Sequence, residues 1–132
     1  MDNNECKLQM IDLYFSKYEF KQERGKESQE YNTSFQIEYA INSEDETKVK
    51  VTIDTMVANE PNSIVLNLQT VGIFKIDKVN TDETTYDHLI KANTVAIIFP
   101  FIRSQISLLT SQPGMMPIML PPININALVE NQ

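Results

Sequence analysis

His88 is the single histidine of a 132-residue chain, and no second histidine or cysteine lies near it to complete a metal set or a nucleophile–base pair. An isolated imidazole of this kind is expected in a surface or structural role. Cys6 is the only cysteine, so no internal disulfide can form; it reads as an incidental thiol near a frayed end, which fits a reducing cytoplasm. Glu44, Asp45 and Glu46 are adjacent carboxylates, but consecutive acids on a turn are solvated rather than aimed at one point. Asn32-Thr33-Ser34 fits an N-glycosylation acceptor, which has meaning only with secretion, and no apolar run of signal-peptide length precedes it. There is no phosphate-binding glycine loop, no dinucleotide fingerprint and no nucleophile elbow. The expectation is therefore a protein that is not an enzyme and needs no metal or cofactor.

The remaining chemistry is apolar contact. Met115, Met116 and Met119 cluster within five residues. Unbranched, polarizable thioethers serve either as gap-fillers in a core or as an adaptable surface for partners of varied shape. They lie in the stretch from Ala92 to Gln132, which carries only two charged side chains, Arg103 and Glu130. So apolar a block must be buried on its own domain, on another subunit or on a partner.

Within that block Ile98, Ile102, Ile106 and Leu109 recur at helical spacing. Pro100 is placed near the start of this helix and Gln112-Pro113-Gly114 beyond its end, which predicts a helix from about Ile98 to about Ser111. Pro117, Pro121 and Pro122 make the following segment an extended loop, and Asn124 is suited to cap a short terminal helix with Ile125, Leu128 and Val129 on one face. Upstream, Leu8 to Phe20 alternates imperfectly, as a strand with a bulge does. Lys21 to Asn32 is a polar crossover. Phe35 to Ile41 and Val49 to Thr55 alternate cleanly around a turn at Asn42 to Glu46, which predicts an antiparallel hairpin. Ser63 to Ile76 is a fourth strand, with Gly72 marking a bulge or a close backbone approach. Thr81 or Asp82 is suited to cap a helix through Asp87, Leu89 and Ile90. Strands followed by helices predict one α+β domain spanning residues 1–132.

The run IIFPFIRSQISLLTSQPGMMPIMLPPININALV resembles the C-terminal signature of SecB, the bacterial export chaperone family, in its Phe99-Pro100-aromatic turn, Arg103, helix, proline-rich loop and Pro122-Ile123-Asn124 helix start. Val71 to Ile76 is similar to the family's Gly-Ile-Phe strand end. The resemblance implies a four-stranded antiparallel sheet followed by a long and a short C-terminal helix, assembled as a dimer of dimers with the long helices sandwiched between sheets. It implies a holdase that keeps preproteins unfolded for protein export and passes them to SecA. It places the client groove at Phe35, Ile37, Tyr39, Met115, Met119, Ile125, Leu128 and Val129. For the tetramer, Ile98, Ile102, Ile106 and Leu109 are taken as the oligomer interface, because the helix is apolar over a wide arc.

Other readings stay open. The family's longer members carry a tail beyond the terminal helix that contributes to SecA contact, and their SecA-docking sheet face is acidic where this chain has Asn67. The alternative is a SecB-like chaperone dedicated to the antitoxin of a toxin–antitoxin system; a further alternative is a non-chaperone oligomer or small-ligand binder. A net charge of −7 argues against nucleic-acid partners and favours solubility or basic clients. No membrane span is expected, because Pro100, Arg103 and Gln105 interrupt the most apolar segment.

Overall fold

The computed structural model describes residues 8–23, 30–60, 62–77 and 82–132. Cys6, Gly25, Pro61 and Thr81 lie outside these. Four strands, β1 (Leu8–Gln22), β2 (Tyr31–Ile41), β3 (Lys48–Asn59) and β4 (Ile64–Ile76), form one antiparallel sheet in the order β1-β4-β3-β2. The imperfect alternation of the first strand has its cause in two register shifts against β4, between Met10 and Asp12 and between Phe15 and Lys17.

The turns are built from side chains. Asn42 Oδ1 accepts from the Glu44 amide at 2.8 Å, and Asp45 Oδ1 accepts from the Thr47 amide at 3.1 Å and from the Thr47 hydroxyl. Those bonds from Thr47, aided by Lys48 and Lys75, hold the Asp45 carboxyl below its ordinary range. At the next turn Asn59 is buried, donating to Ser63 Oγ at 2.9 Å and accepting from the Ile64 amide at 3.0 Å, while Asn62 takes a positive φ of 55°.

One face of the sheet is apolar. Val49, Val51, Ile53 and Val57 of β3 and Leu66, Leu68 and Phe74 of β4 are buried under the helices. Gly72 marks a close approach rather than a bulge: a Cβ there would lie 2.8 Å from Ile98 Cδ1 and 2.9 Å from Phe74 Cε1.

The helical region differs from the sequence expectation. A helix capped by Asp82, whose Oδ1 accepts from the Thr85 amide at 2.7 Å, starts at Glu83 and continues to Leu109 as α1 (Glu83–His88), a π turn (Leu89–Asn93) and α2 (Thr94–Leu109). Pro100 therefore sits inside the helix, not near its start. It cannot donate to the Ala96 carbonyl, but both residues lie on the exposed side, where that group loses a helix bond without being buried.

The π turn has a geometric reason. Tyr86, Ile90, Thr94, Ile98, Ile102 and Ile106 are all buried and recur at every fourth position. In a straight α-helix such a row drifts by roughly 40° per step. A wider i→i+5 turn reverses part of the drift and keeps Tyr86 and Ile90 on the sheet side. The 27-residue run Glu83–Leu109 is, contrary to expectation, long and apolar enough by length and composition to cross a membrane. Its packed face accounts for part of that composition, 39% of the most apolar window being buried.

Candidate functional site

After α2 the chain turns at Gln112-Pro113-Gly114, where Gly114 has φ 74° and the Met115 amide donates to the Gln112 carbonyl at 3.1 Å. The extended segment that follows runs back along α2 and is pinned to it by side chains one turn apart. The Ile118 amide donates to Thr110 Oγ1 at 2.8 Å, Ser107 Oγ donates to the Ile118 carbonyl at 3.1 Å, and Arg103 Nε donates to the Leu120 carbonyl at 3.2 Å. The three prolines remove donors from this loop, and Arg103, Ser107 and Thr110 supply partners for much of what remains. Alternation along the pinned segment buries Ile118 and Leu120 and turns Met119 outward, 74% exposed; Met116, ahead of the alternating stretch, is 76% exposed.

The loop delivers the chain to α3 (Ile125–Glu130), capped by Asn124, whose Oδ1 accepts from the Ala127 amide at 3.1 Å. Ile125, Leu128 and Val129 are half-buried, turned toward the core. Beyond α3, Gln132 Oε1 accepts from the Ile37 amide at 2.9 Å, tying this segment to the free edge of β2.

On β2 the side chains of Phe35, Ile37 and Tyr39 face the helices. Phe35 meets Phe99 of α2 edge-to-face, with centroids 5.5 Å apart at 62°. The Tyr39 hydroxyl donates to the Lys91 carbonyl in the π turn at 2.7 Å. Burial, and after it the Asp87 carboxylate, pushes the Tyr39 phenol up to about 12. The result is a seam between a strand edge and a short helix, walled by aromatic and aliphatic side chains half open to solvent. It presents apolar side chains along a strand edge.

The expected site residues are only partly brought together. Phe35, Ile37 and Tyr39 share one strand face, and α3 joins them through Gln132. Met115 is half-buried against the core, whereas Met119 lies over Ser107, whose hydroxyl is 3.2 Å from its sulfur. Phe99 and Gln132 belong to the seam and were not anticipated. Phe99 was legible as an apolar helix residue, but nothing in the sequence pairs Gln132 with Ile37. His88 is exposed at the end of α1.

The expected oligomer interface needs correction. Ile98, Ile102 and Ile106 are 0% exposed within a single protomer, so they are core and present no surface to a partner, and Leu109 is half-buried against the same core. The opposite side of α2 is also apolar, with Ile97 at 36%, Phe101 at 43% and Leu108 at 67% exposure.

The outer face of the sheet has a polar patch near its centre, flanked by Tyr14 and Met56. Gln69 accepts from the Ser16 hydroxyl at 2.6 Å and donates to Asp54 at 2.9 Å, linking three strands beside an open depression of about 300 Å³ that Asn67 also lines. Lys48 and Lys75 stand opposite one another on β3 and β4, with Lys50 two residues on.

Residues 3–132 match the family model described as preprotein translocase subunit SecB. An uncharacterized protein of Methanocaldococcus jannaschii is 26% identical over 121 residues, covering 72% of this chain and 77% of that protein. The protein-export protein SecB of Rickettsia akari is 30% identical over 89 residues, 67% of this chain; the match spans only 57% of the Rickettsia protein's length. Among solved structures, a SecB-like chaperone of Mycobacterium tuberculosis in complex with a ChAD peptide from the HigA1 antitoxin superposes with a TM-score of 0.74 at 15% identity, covering 89% of this chain and 91% of that one. With the family model spanning nearly the whole sequence and the sheet, long helix and short helix in the expected order, the chain belongs to the SecB family of chaperones.

Proposed function

We propose that this protein is a holdase that binds unfolded polypeptides in the seam between β2, the proline-rich loop and α3, without catalysis. The observation that carries this reading is the state of the seam's side chains: Phe35, Tyr39, Ile125, Leu128 and Val129 are half-buried beside a strand edge, and Met116 and Met119 are exposed on a pinned loop. Such a surface can bury a client's apolar side chains at about 25 cal/mol per Å² without demanding a sequence. Exchanging Leu128 and Val129 together for Ser tests it. Suppression of aggregation of an unfolded protein should weaken more than tenfold, since about 1.4 kcal/mol is tenfold and each fully buried side chain contributes roughly 1.5–3 kcal/mol, less when half-exposed. Undiminished suppression by a folded double variant would place the groove elsewhere.

The family reading further supports a cytoplasmic homotetramer that hands preproteins to SecA. The uncovered stripe of Ile97, Phe101 and Leu108 is the surface suited to assembly. A second reading, a chaperone dedicated to an antitoxin, is supported by the outer sheet face, where Asn67, Gln69 and the lysines at 48, 50 and 75 interrupt the carboxylates of Glu19 and Asp54. Capture of SecA or of an antitoxin by the purified protein, each from its own host, separates the two.

A further inference from the structure

The hydrogen bond from the Ile37 amide to Gln132 Oε1 reveals which way the edge of β2 faces. In an antiparallel ladder, residues alternate between those bonded to the neighbouring strand and those whose N–H and C=O point away. Ile37 belongs to the outward set, and so therefore do Phe35 and Tyr39, two positions to either side. Edge strands are ordinarily blunted by bulges, prolines or lysines. The other edge, β1, has two register shifts together with Lys17 and Lys21. By contrast β2 runs Tyr31–Ile41 in unbroken register with β3, contains no proline, glycine or lysine, and carries Glu38 as its one charge. Its open edge is the kind that accepts another strand.

A side-chain carboxamide is a peptide group in miniature. We infer that Gln132 is a built-in stand-in for a client backbone: its carboxamide holds the Ile37 N–H until an extended client segment pairs with the edge of β2 and displaces it. The occupant is an unfolded stretch with apolar side chains at alternate positions, which are directed into the seam while its backbone bonds to Phe35, Ile37 and Tyr39. This rests on the holdase reading and adds the binding mode: main-chain pairing supplies affinity without sequence, and Gln132 sets a threshold that weak clients fail to cross.

The test uses amide exchange and binding of a permanently unfolded probe, reduced and alkylated lysozyme, by the parent, Gln132→Ala and Gln132→Glu. Gln132 also donates to the Leu128 carbonyl at 3.3 Å, so the Glu variant, which keeps an acceptor, controls for fraying of α3. In Gln132→Ala the free protein should exchange the Ile37 amide at least several-fold faster, the probe should restore its protection, and the probe should bind about two- to tenfold more tightly, the factor equivalent to one displaced hydrogen bond of about 0.5–1.5 kcal/mol. Gln132→Glu should keep Ile37 protected without the probe. Equal or weaker binding by Gln132→Ala, or an Ile37 amide left unprotected in its complex, overturns the inference while leaving the holdase reading intact. If the parent itself does not bind the probe, the holdase reading fails and this inference with it.

Discussion

Tyr39 links the candidate groove to the helix above it through one hydroxyl, and its ionisation gives that link a pH signature. Its folded-state pKa, about 12, lies above the ordinary value near 10. A raised value means the folded state retains the proton more strongly than the unfolded chain. This contribution is fully present below about pH 10 and is lost as the pH rises toward 12. Tyr39→Phe should therefore be less stable than the parent at pH 8, having lost the bond to Lys91, and should show a smaller decline between pH 9.5 and 11.5. Urea midpoints across that range check both points. Of the groove residues, Phe35, Ile37 and Tyr39 were legible as a set because strand alternation assigns faces directly. Gln132 was not, because a bond spanning 95 positions leaves no local pattern.

At the scale of elements, Gly72 fixes how closely α2 approaches the sheet. Gly72→Ala should destabilise the fold by about 1–3 kcal/mol, the usual cost of overpacking a well-filled core. Ile98→Val removes the Cδ1 that the new methyl would strike, so the double variant should recover part of the loss, read as non-additivity in denaturant midpoints. The strands and α3 followed from period-two alternation and from the Asn124 cap. The Asp82 cap followed too, but the unbroken run from Glu83 to Leu109 did not, because Pro100 was weighed as a boundary signal. Proline is disfavoured in a helix chiefly through the carbonyl it strands, and here that carbonyl is on the exposed side. The π turn leaves no mark in residue type; only the burial of an every-fourth row across 20 positions demands it.

For the whole molecule, α2 is apolar on two sides, and periodicity alone cannot say which one its own sheet covers. The sheet covers Ile98, Ile102 and Ile106; Ile97, Phe101 and Leu108 remain exposed. The two rows should respond differently to the same insult. Phe101→Asp should leave a folded protomer and shift light scattering from tetramer toward smaller species. Ile106→Asp should unfold the protomer, because it places an unpaired charge in its core. A tetramer that survives Phe101→Asp would assign assembly to another surface.

The π turn also bears on how this chain can change length. A wide turn holds one residue beyond what an α-helix needs, so a one-residue deletion within 89–93 has somewhere to be absorbed: the turn relaxes to ordinary helix and α2 keeps its seat on the sheet. Everything ahead of it would keep nearly its angular place, because the wide turn with its extra residue and one ordinary turn without it sweep about the same rotation. Tyr86 would keep the Glu46 carbonyl, which its hydroxyl meets at 2.8 Å, and the β2–β3 turn would keep its brace. The spare residue is thus slack in the chain: the same deletion within 94–109, where there is none, would turn Tyr86 by about 100° away from that carbonyl.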